Sequence, residues 1–500
     1  MLRRIPIHPL LWSLWPAAAL WSGNWRIVAL GEVMPLAAVL VILTTAVWML
    51  SRLLGFAWQR SAIVASSLLV AGQLLGLMPA TSAVVLSTMG LVTVGGALVA
   101  GRLGDEALGS VTFLLNAAGA VALSVALLPV IVAWVRAPET LVMPAPAYNE
   151  RASAPERDIL YIVPDRFGRA DVLQHRYDWD SAPFLNELED RGFQIADRST
   201  ANYPKTSHSL SAAWNLDYLD EAVADLPDTV QPDLRILYPL LRDHHVGRIA
   251  VELGYDYLHL GSYWAPTETS ETATEVLTMS APSQFASVHI DRTILPALRD
   301  AIPGLDHRDF RALAREHVVH GLETIEAIGR RPADRPRLVM VHLTLPHEPY
   351  AFEPDGSFVP PEVEASRGLV DNYSRQLAFT EAALLRIVDA WLDRPQAELP
   401  IIIIQADEGP HPPELLANPG GFVWVDAAED VQREKLGILT ALHLPASSDK
   451  IPATLSPVNT FRLVFDIYHD TRFGLLPDRS YIYTSEMERY RFTEVTQRVQ

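Results

Sequence analysis

The segment Asp158-Ile-Leu-Tyr-Ile-Val-Pro-Asp165 is a short, continuous apolar run that ends in a carboxylate. Two later segments have the same form, Arg337-Leu-Val-Met-Val-His-Leu-Thr-Leu345 and Pro400-Ile-Ile-Ile-Ile-Gln-Ala406. Short apolar runs without polar alternation are typical of strands that are buried on both faces of a sheet. Each of the three segments therefore predicts a strand in the interior of a sheet.

Helical patterns separate these predicted strands. Apolar residues recur three and four positions apart at 181–192, 307–330 and 372–393. Buried strands that alternate with amphipathic helices predict an α/β domain with a mainly parallel central sheet. In such a sheet, ligands bind outside the carboxyl ends of the strands. The residues that follow each apolar run are therefore the first candidates for a functional site.

Composition excludes several classes of protein. The 500 residues carry a net charge of −19, with about +2 on residues 1–150 and about −21 on residues 151–500. Because the chain has only three lysines and an acidic second part, it is not expected to bind nucleic acid. The absence of cysteine excludes disulfides, thiolate catalysis and cysteine-based zinc sites.

The first 136 residues are predicted to form a transmembrane domain of about five helices. Arg3, Arg4, Arg60 and Arg102 fall on one side of five spans, whereas Arg26 and Arg136 fall on the other, and this majority predicts a cytoplasmic N-terminus. An odd number of spans then places the rest of the chain outside the cytoplasm, in a multi-pass protein of the plasma (inner) membrane. The apolar stretches long enough to cross a bilayer are 7–23, 33–57, 62–79, 82–101 and 108–135.

The remaining chain divides into a linker and one folded domain. Residues 137–156 are rich in Pro and Ala and show neither helical nor strand periodicity, as is typical of a linker. Residues 157–500 are predicted to form the extracytoplasmic domain. Few charged residues lie within the apolar stretches, which favours an anchoring role for the helices over a transporter with a regulatory domain.

Polar residues collect at the predicted strand ends. Asp165 ends the first run, His347 follows the second, and Asp407 and Glu408 follow the third. Hydroxyl residues also cluster in 202–211, just before a helical pattern. A hydroxyl at a helix N-terminus is commonly a cap, but the free N–H groups there also stabilise an anion that arrives at a nucleophile. Both interpretations remain open from the residues alone.

These motifs resemble the alkaline phosphatase and sulfatase superfamily, in particular its membrane-anchored lipoteichoic-acid-synthase-like and sulfatase-like transferases. The turn at 165–171, DRFGRAD, is similar to the family's turn after a metal-binding acid. The stretch 202–210, NYPKTSHSL, matches the context of the family's nucleophile. The turn His347-Glu-Pro349 matches the H-x-P motif, and Asp407-Glu408-Gly409 stands where the family has D-H-G.

The resemblance implies an alkaline-phosphatase/sulfatase-like fold and a set of residue roles. Thr206 would be the nucleophile, and Asp165, Thr206, Asp407 and Glu408 would bind a divalent metal. His347 would bind the phosphoryl group or protonate the leaving oxygen. The expected activity is a membrane-anchored phosphotransferase or a phosphodiesterase or sulfatase-like hydrolase. Its partners would be the lipid bilayer and lipid-linked or glycan substrates of the cell envelope.

Two departures from the family pattern sharpen these expectations. The sulfatase branch uses a modified Cys or Ser, so a chain without cysteine favours phosphoryl chemistry over sulfate hydrolysis. Glu408 replaces the usual His, and the resulting all-oxygen ligand set favours Mn²⁺ or Mg²⁺ over Zn²⁺ or Ca²⁺. Glu408 can also be explained as a cap of the turn before Gly409. The same departure is compatible with a catalytically degenerate envelope scaffold protein.

Overall fold

The computed structural model describes residues 5–75, 82–135, 141–149, 153–302 and 309–500. They group into two compact units, one drawn from 1–137 and 281–313 and the other from 138–280 and 314–500. The helices are α1 (His8–Asn24), α2 (Leu30–Leu53), α3 (Trp58–Leu75), α4 (Ser82–Arg102), α5 (Asp105–Val135), α6 (Ala170–Tyr177), α7 (Ala182–Asp190), α8 (Thr206–Asn215), α9 (Asp220–Val223), α10 (Tyr238–Arg242), α11 (His245–Leu253), α12 (Gln284–Asp291), α13 (Leu295–Ala301), α14 (Phe310–Gly329), α15 (Pro361–Ser366), α16 (Leu369–Leu392), α17 (Pro413–Ala417), α18 (Glu429–Leu436), α19 (Pro457–His469) and α20 (Thr496–Val499). The strands are β1 (Ile159–Pro164), β2 (Phe193–Ile195), β3 (Asp256–Leu260), β4 (Glu275–Leu277), β5 (Arg337–Leu343), β6 (Ile401–Gln405), β7 (Thr440–His443), β8 (Tyr481–Tyr483) and β9 (Phe492–Glu494).

The first unit contains a helix at each of the five predicted spans. Among the described residues, three helical segments are long and apolar enough to cross a membrane, Leu30–Leu53, Val84–Arg102 and Asp105–Val135. Helix α1 has only 17 residues and contains Pro16. The crossing of α1 and α3 therefore stays a prediction, and the predicted end of the third span, from residue 76 onward, lies outside the described residues.

Helices α12 and α13 also belong to this first unit. Phe285 of α12 is buried in a cluster with Val33 of α2, and Ile294, just before α13, is buried with Val85 of α4. The predicted boundary assigned all of 157–500 to one domain, and the structure differs from it in this segment. The physical reason is that Phe285 and Ile294 are buried against α2 and α4 rather than against the sheet.

The second unit is built on a seven-stranded sheet in the order β2-β7-β6-β1-β5-β3-β4. The pairs β1–β5, β1–β6, β3–β5 and β3–β4 are parallel, whereas β7 runs antiparallel to β6 and to β2. The predicted mainly parallel sheet is confirmed. Strand β1 lies between β5 and β6, with Val163 opposite His342 and Ile162 opposite Ile404, so the three predicted strands are neighbours.

Both faces of the central strands are buried. Along β1, Leu160 and Ile162 pack into one apolar cluster, while Ile159 and Tyr161 pack into another. The isoleucines of β6 divide between the same two clusters in the same alternating way. A strand that must be apolar on both faces has no polar alternation, which explains why these segments appear as continuous apolar runs.

Part of the predicted linker packs onto the second unit. Leu141 and Met143 are buried in its core, and the backbone N–H of Asn149 donates to the Thr471 carbonyl at 2.8 Å. Residues 137–140 and 150–152 of the predicted linker lie outside the described residues. The described residues 141–149 have no regular secondary structure, as the composition predicted, but they are not free in solution.

Candidate active site

The carboxyl ends of the three central strands bring together a group of metal-ligating side chains. Asp165 directly follows β1, His342 is the next-to-last residue of β5, and Asp407 comes two residues after β6. One ligand atom from each lies within 4.8 Å of the other two, and all three side chains are buried. The distance from His342 Nε2 to Asp165 Oδ2 is 3.3 Å. This separation suits two ligands of one small cation.

Buried oxygens of this group lack ordinary hydrogen-bond partners among the described residues. They are Oδ1 of Asp165 and both carboxylate oxygens of Asp407. Buried polar atoms without partners are rare in folded proteins because losing water costs free energy that must be offset. A divalent cation held by Asp165, His342 and Asp407 would satisfy these oxygens. The residues therefore fit a metal site.

The surroundings shift the pKa values of Asp165 and Asp407 in opposite directions. Burial alone would raise the pKa of Asp165, but the neighbouring His347 and His342 hold that pKa well below its usual range. Burial and the nearby charges of Asp165 and Glu408 raise the pKa of Asp407 well above its usual range. Two close, buried carboxylates repel each other, and a cation between them would remove that repulsion.

The His342 ring is oriented by a second side chain. Its Nδ1 atom lies 3.0 Å from Thr267 Oγ1, which in turn lies 2.8 Å from Ser262 Oγ. With Nδ1 engaged in this hydrogen bond, Nε2 faces Asp165. Metal-binding histidines are commonly fixed in this way by a partner on the other ring nitrogen. Thr267 is therefore a positioning residue for the candidate ligand.

Thr206 begins helix α8 and lies beside the metal-ligating group. Its side chain is half-buried, and its hydroxyl is close enough to Asp407 to lower the pKa of that carboxyl. Lys205 before it is extended, with φ −144° and ψ 138°, and no side chain caps the helix at Lys205. Thr206 is therefore the first residue of a ten-residue helix and lies at its positive end, where the first backbone N–H groups are free. This position favours the approach of an anion.

Glu408 lies next to Asp407, and one of its two carboxylate oxygens is engaged elsewhere, while the other, Oε2, is buried without a hydrogen-bond partner among the described residues. Its Oε1 atom is 2.8 Å from the Lys435 ammonium and 3.1 Å from Arg166 Nε. The group of ligand atoms within 4.8 Å of one another contains His342, Asp165 and Asp407 but not Glu408, whose Oε1 pairs with two buried cations. The metal-binding role of Glu408 therefore stays a prediction.

Arg166 forms ion pairs with acids from two different segments of the site. Its guanidinium contacts both Glu348 and Glu408, and its side chain is buried. Its backbone has φ +66°, in the left-handed region that costs free energy for a residue with a side chain. The Tyr373 hydroxyl donates to the Arg166 carbonyl at 2.8 Å and helps to hold this conformation.

Gly409 allows the chain to pass very close to helix α18. A side-chain carbon at this position would lie 2.1 Å from the Glu434 carbonyl oxygen, so only glycine fits. The Gly409 carbonyl accepts a hydrogen bond from Lys435 Nζ at 3.0 Å. Burial lowers the pKa of Lys435 to about 8, although Glu408 opposes that shift. The close approach thus places a buried ammonium against Glu408.

His347 lies at the edge of the same site. Its side chain is partly exposed, and its Nδ1 atom contacts the Glu348 carbonyl and lies 3.7 Å from Glu348 Oε2. Burial would raise the pKa of Glu348, but His347 and Arg166 lower it to about 2. His347 therefore faces a negative charge on one side and influences Asp165 on the other.

No protein-family model and no curated protein matches the chain. The C-terminal periplasmic domain of EcEptC from Escherichia coli is similar at 13% identity, covers 71% of this chain and 96% of its own, and has a TM-score of 0.44. The integral membrane lipooligosaccharide phosphoethanolamine transferase A from Neisseria meningitidis is 12% identical, with 93% and 96% covered and a TM-score of 0.41. A 2-O GAG sulfatase is 14% identical, with 66% and 78% covered and a TM-score of 0.39.

The names of these three proteins describe their own activities and not that of this chain. At identities of 12–14% and TM-scores below 0.5, these similarities carry no argument about what this chain acts on.

Proposed function

We propose that this chain is a membrane-anchored, metal-dependent enzyme that transfers or hydrolyses a phosphoryl group through Thr206. The observation that carries the proposal is the position of the Thr206 hydroxyl. It lies at the N-terminus of α8, beside Asp407, in a group whose buried carboxylate oxygens lack partners among the described residues. A nucleophile, an anion-stabilising helix end and a cation site are the parts that phosphoryl transfer requires.

The proposed metal ligands are Asp165, His342 and Asp407, with Thr206 beside them. A bound divalent cation would lower the pKa of the Thr206 hydroxyl and neutralise charge on the phosphoryl oxygens. The expectation of Mn²⁺ or Mg²⁺ assumed an all-oxygen set that included Glu408. With one imidazole nitrogen in the set, Mn²⁺ or Zn²⁺ suits the site better than Mg²⁺.

The proposed first step forms a phosphothreonine. Thr206 Oγ1 bonds to phosphorus and loses its proton to water, while the bond between phosphorus and the leaving oxygen breaks. His347 donates a proton to the leaving oxygen, since its Nδ1 faces Glu348 and its Nε2 is left for the substrate. In the second step, water or an acceptor hydroxyl attacks phosphorus and gives its proton to His347, while the bond to Oγ1 breaks and Thr206 regains a proton from water. Water gives hydrolysis, and an acceptor gives transfer.

The proposed substrates are lipid-linked donors and glycans of the cell envelope. Apolar helices of membrane-spanning length favour a donor in the same bilayer, such as a phospholipid head group. The lack of cysteine and the threonine nucleophile favour phosphoryl over sulfate chemistry. A degenerate scaffold protein is the competing proposal, and it requires that no phosphoenzyme forms.

The test is to trap the phosphoenzyme on the full-length protein in detergent with a chromogenic phosphodiester and Mn²⁺ or Zn²⁺. Mass analysis should find phosphate on Thr206. Thr206→Ala should lose this phosphate and slow turnover at least about 1,000-fold, because the attacking atom is gone. Thr206→Ser keeps the hydroxyl and serves as the matched control, with turnover within about tenfold of the parent.

Two outcomes would contradict the proposal. Near-normal turnover in Thr206→Ala would remove Thr206 from the chemistry. A parent protein that folds, yet shows neither turnover nor phosphate with either metal, would favour the scaffold. Thermal unfolding midpoints of all three proteins should agree, because replacing a half-buried hydroxyl changes the core little.

We further propose that the second unit lies outside the cytoplasm. Phe285 and Ile294 pack on the first turns of α2 and α4, the ends away from Arg52 and Arg102. Basic residues at the opposite ends follow the expected bias toward the cytoplasm. A fluorescent protein that folds only in the cytoplasm should be dark when it is fused after residue 150. Bright fluorescence would mean an even number of spans.

A further inference from the structure

A cavity of about 390 Å³ lies within the first unit, between α1, α3 and α12. Its walls are mainly apolar and include Trp15, Leu20 and Gly23 of α1. The volume lies within the range of about 300–1,000 Å³ that is common for small-ligand sites. The cavity is remote in sequence from the strand ends of the candidate active site and uses none of their residues.

One end of this cavity is polar and positively charged. His289 and Arg292 line it there. His289 is only 4% exposed, and its Nε2 atom has no hydrogen-bond partner among the described residues. The Arg292 side chain is exposed and forms no ion pair within the described part of the chain. A buried imidazole nitrogen without a partner and a nearby free guanidinium together indicate an anionic group as ligand.

A second cavity of the same volume gives a useful contrast. It also measures about 390 Å³, and it is lined by Trp12, Ile63, Val70 and Val92 among other residues, none of them charged. Both cavities are bounded by apolar helices, so an apolar chain would suit either one. Only the first cavity combines apolar walls with a cation and an unpaired imidazole, which is the pattern that an amphiphile with an acidic head requires.

We infer that the cavity between α1, α3 and α12 binds one phospholipid, with an acyl chain along α1 and the phosphate at Arg292 and His289. Three helical segments of this unit are long and apolar enough to lie in a bilayer, where acyl chains are abundant. Lipid phosphate and guanidinium attract each other strongly near a membrane surface. This inference is independent of the proposed chemistry at Thr206.

The experiment uses the full-length protein, stripped of lipid in detergent and titrated with dioleoyl phosphatidylglycerol by native mass spectrometry. Dioleoylglycerol, which lacks the phosphate, and glycerol phosphate, which lacks the acyl chains, are the two comparison ligands. The phospholipid should bind at least tenfold more tightly than either one, because only it fills both ends of the cavity. Equal binding of glycerol phosphate would mean a site for free phosphate and would overturn the inference.

Two variants separate the two ends of the cavity. Arg292→Gln should abolish the tenfold preference for phospholipid over dioleoylglycerol. Gly23→Leu should weaken both lipids about tenfold by filling the apolar end, and a side-chain carbon there meets no atom within 4 Å, so the helix tolerates it. Arg52→Gln, at the far end of α2, is the matched control and should change neither affinity. Unchanged affinity in both cavity variants, or an equal loss in the control, would overturn the inference.

Discussion

Strand β1 has a buried aspartate at each end, and the two aspartates have opposite surroundings. At the start, Asp158 Oδ1 accepts the Arg337 backbone N–H at 2.7 Å. Its Oδ2 accepts Nη2 of Arg337 at 2.6 Å and Nη1 of Arg394 at 2.9 Å. At the other end, Asp165 Oδ1 has no partner among the described residues. One carboxylate is therefore fully satisfied by the fold, and the other is not.

The difference separates a structural acid from a functional one. Burial raises the pKa of Asp158, but hydrogen bonds from Arg337 and Arg394 outweigh it and lower that pKa. The pKa of Asp165 is lowered as well, so the direction of the shift does not distinguish the two. What distinguishes them is the unused oxygen of Asp165, because burying a carboxylate oxygen without a donor costs free energy that a bound cation would offset. Arg337 and Arg394 satisfy both oxygens of Asp158, whereas a bound cation would satisfy the free oxygen of Asp165.

The largest expected effect follows from removing the charge of the satisfied acid. Asp158→Asn leaves the buried Arg337 and the nearby Arg394 without their counterion and should lower the free energy of unfolding by about 3 kcal/mol. Metal affinity should not change, because this end of β1 is far from the candidate ligands. Thermal unfolding followed by tryptophan fluorescence in detergent measures the first quantity, and calorimetric titration with Mn²⁺ measures the second.

The matched control is Asp393→Asn, which removes an exposed acid next to Arg394 in sequence and should change stability by less than about 0.5 kcal/mol. Equal stability of Asp158→Asn and the control would show that the ion pairs at this end contribute nothing. A loss of metal binding in Asp158→Asn at normal stability would show that Asp158 is not a purely structural acid.

The opposite result is expected at the other end of the strand. Asp165→Asn should reduce Mn²⁺ or Zn²⁺ affinity at least about 100-fold, or about 2.7 kcal/mol, because a ligand charge is lost. In EDTA, its unfolding midpoint should be equal to or below that of the parent at neutral pH, since His347 and His342, which hold the pKa of Asp165 low, lose the carboxylate that they stabilise. Calorimetric titration and unfolding with and without EDTA test both statements.

Glu408→Gln is the comparison variant for this prediction. Glu408 is paired with Lys435 and Arg166 rather than grouped with the candidate ligands, so metal affinity should stay within about tenfold of the parent. If Glu408→Gln lost as much affinity as Asp165→Asn, Glu408 would be a ligand, as its place in the motif predicted. If Asp165→Asn bound metal normally, the site would lie elsewhere.

The fold was predictable wherever burial on both faces makes a strand a continuous apolar run. The strands predicted at 158–165, 337–345 and 400–406 are β1, β5 and β6 within two residues at each end, because strands covered on both faces cannot carry polar residues. The segment 281–302 was not assigned correctly, since its apolar side chains do not reveal what covers them. Its partners, α2 and α4, lie some 200 residues earlier in the chain.

The site was predictable where a residue ends a strand or, like Thr206, begins a helix. Asp165 and Asp407 follow apolar runs, and the structure brings them together. His342 lies inside such a run, where a single imidazole gives no sign of its role. The signal that could have found it is its place near the carboxyl end of β5. The pairing of Glu408 with Lys435 depends on a close approach at Gly409 that only the folded chain contains.

A third kind of acid in this domain has a hydrogen-bond donor but no cation beside it among the described residues. Glu381 on α16 is half-buried, and its Oε1 atom accepts the Trp179 indole N–H at 3.0 Å. Burial and the nearby charge of Asp180 raise the pKa of Glu381 to about 7, although the Trp179 hydrogen bond opposes the shift. The effect of burial on the pKa of Glu381 is larger than that of the Trp179 hydrogen bond, whereas two guanidinium groups reverse it at Asp158.

The smallest predicted effect concerns the pH dependence of stability at Glu381. Its pKa of about 7 in the folded chain lies above the ordinary value of 4.5, so the folded state holds the proton longer than the unfolded state. The contribution of Glu381 to stability is therefore fully present below about pH 4.5, decreases as pH rises toward 7, and stays lost above it.

Glu381→Gln keeps an acceptor for Trp179 but cannot ionise, so it should be more stable than the parent by about 1 kcal/mol at pH 8 and equal to it at pH 4.5. This figure is below the full shift because the side chain is partly exposed to water. Unfolding midpoints of parent and variant across pH 4.5 to 8 provide the measurement, and a difference that does not grow with pH would show that Glu381 has an ordinary pKa despite its burial.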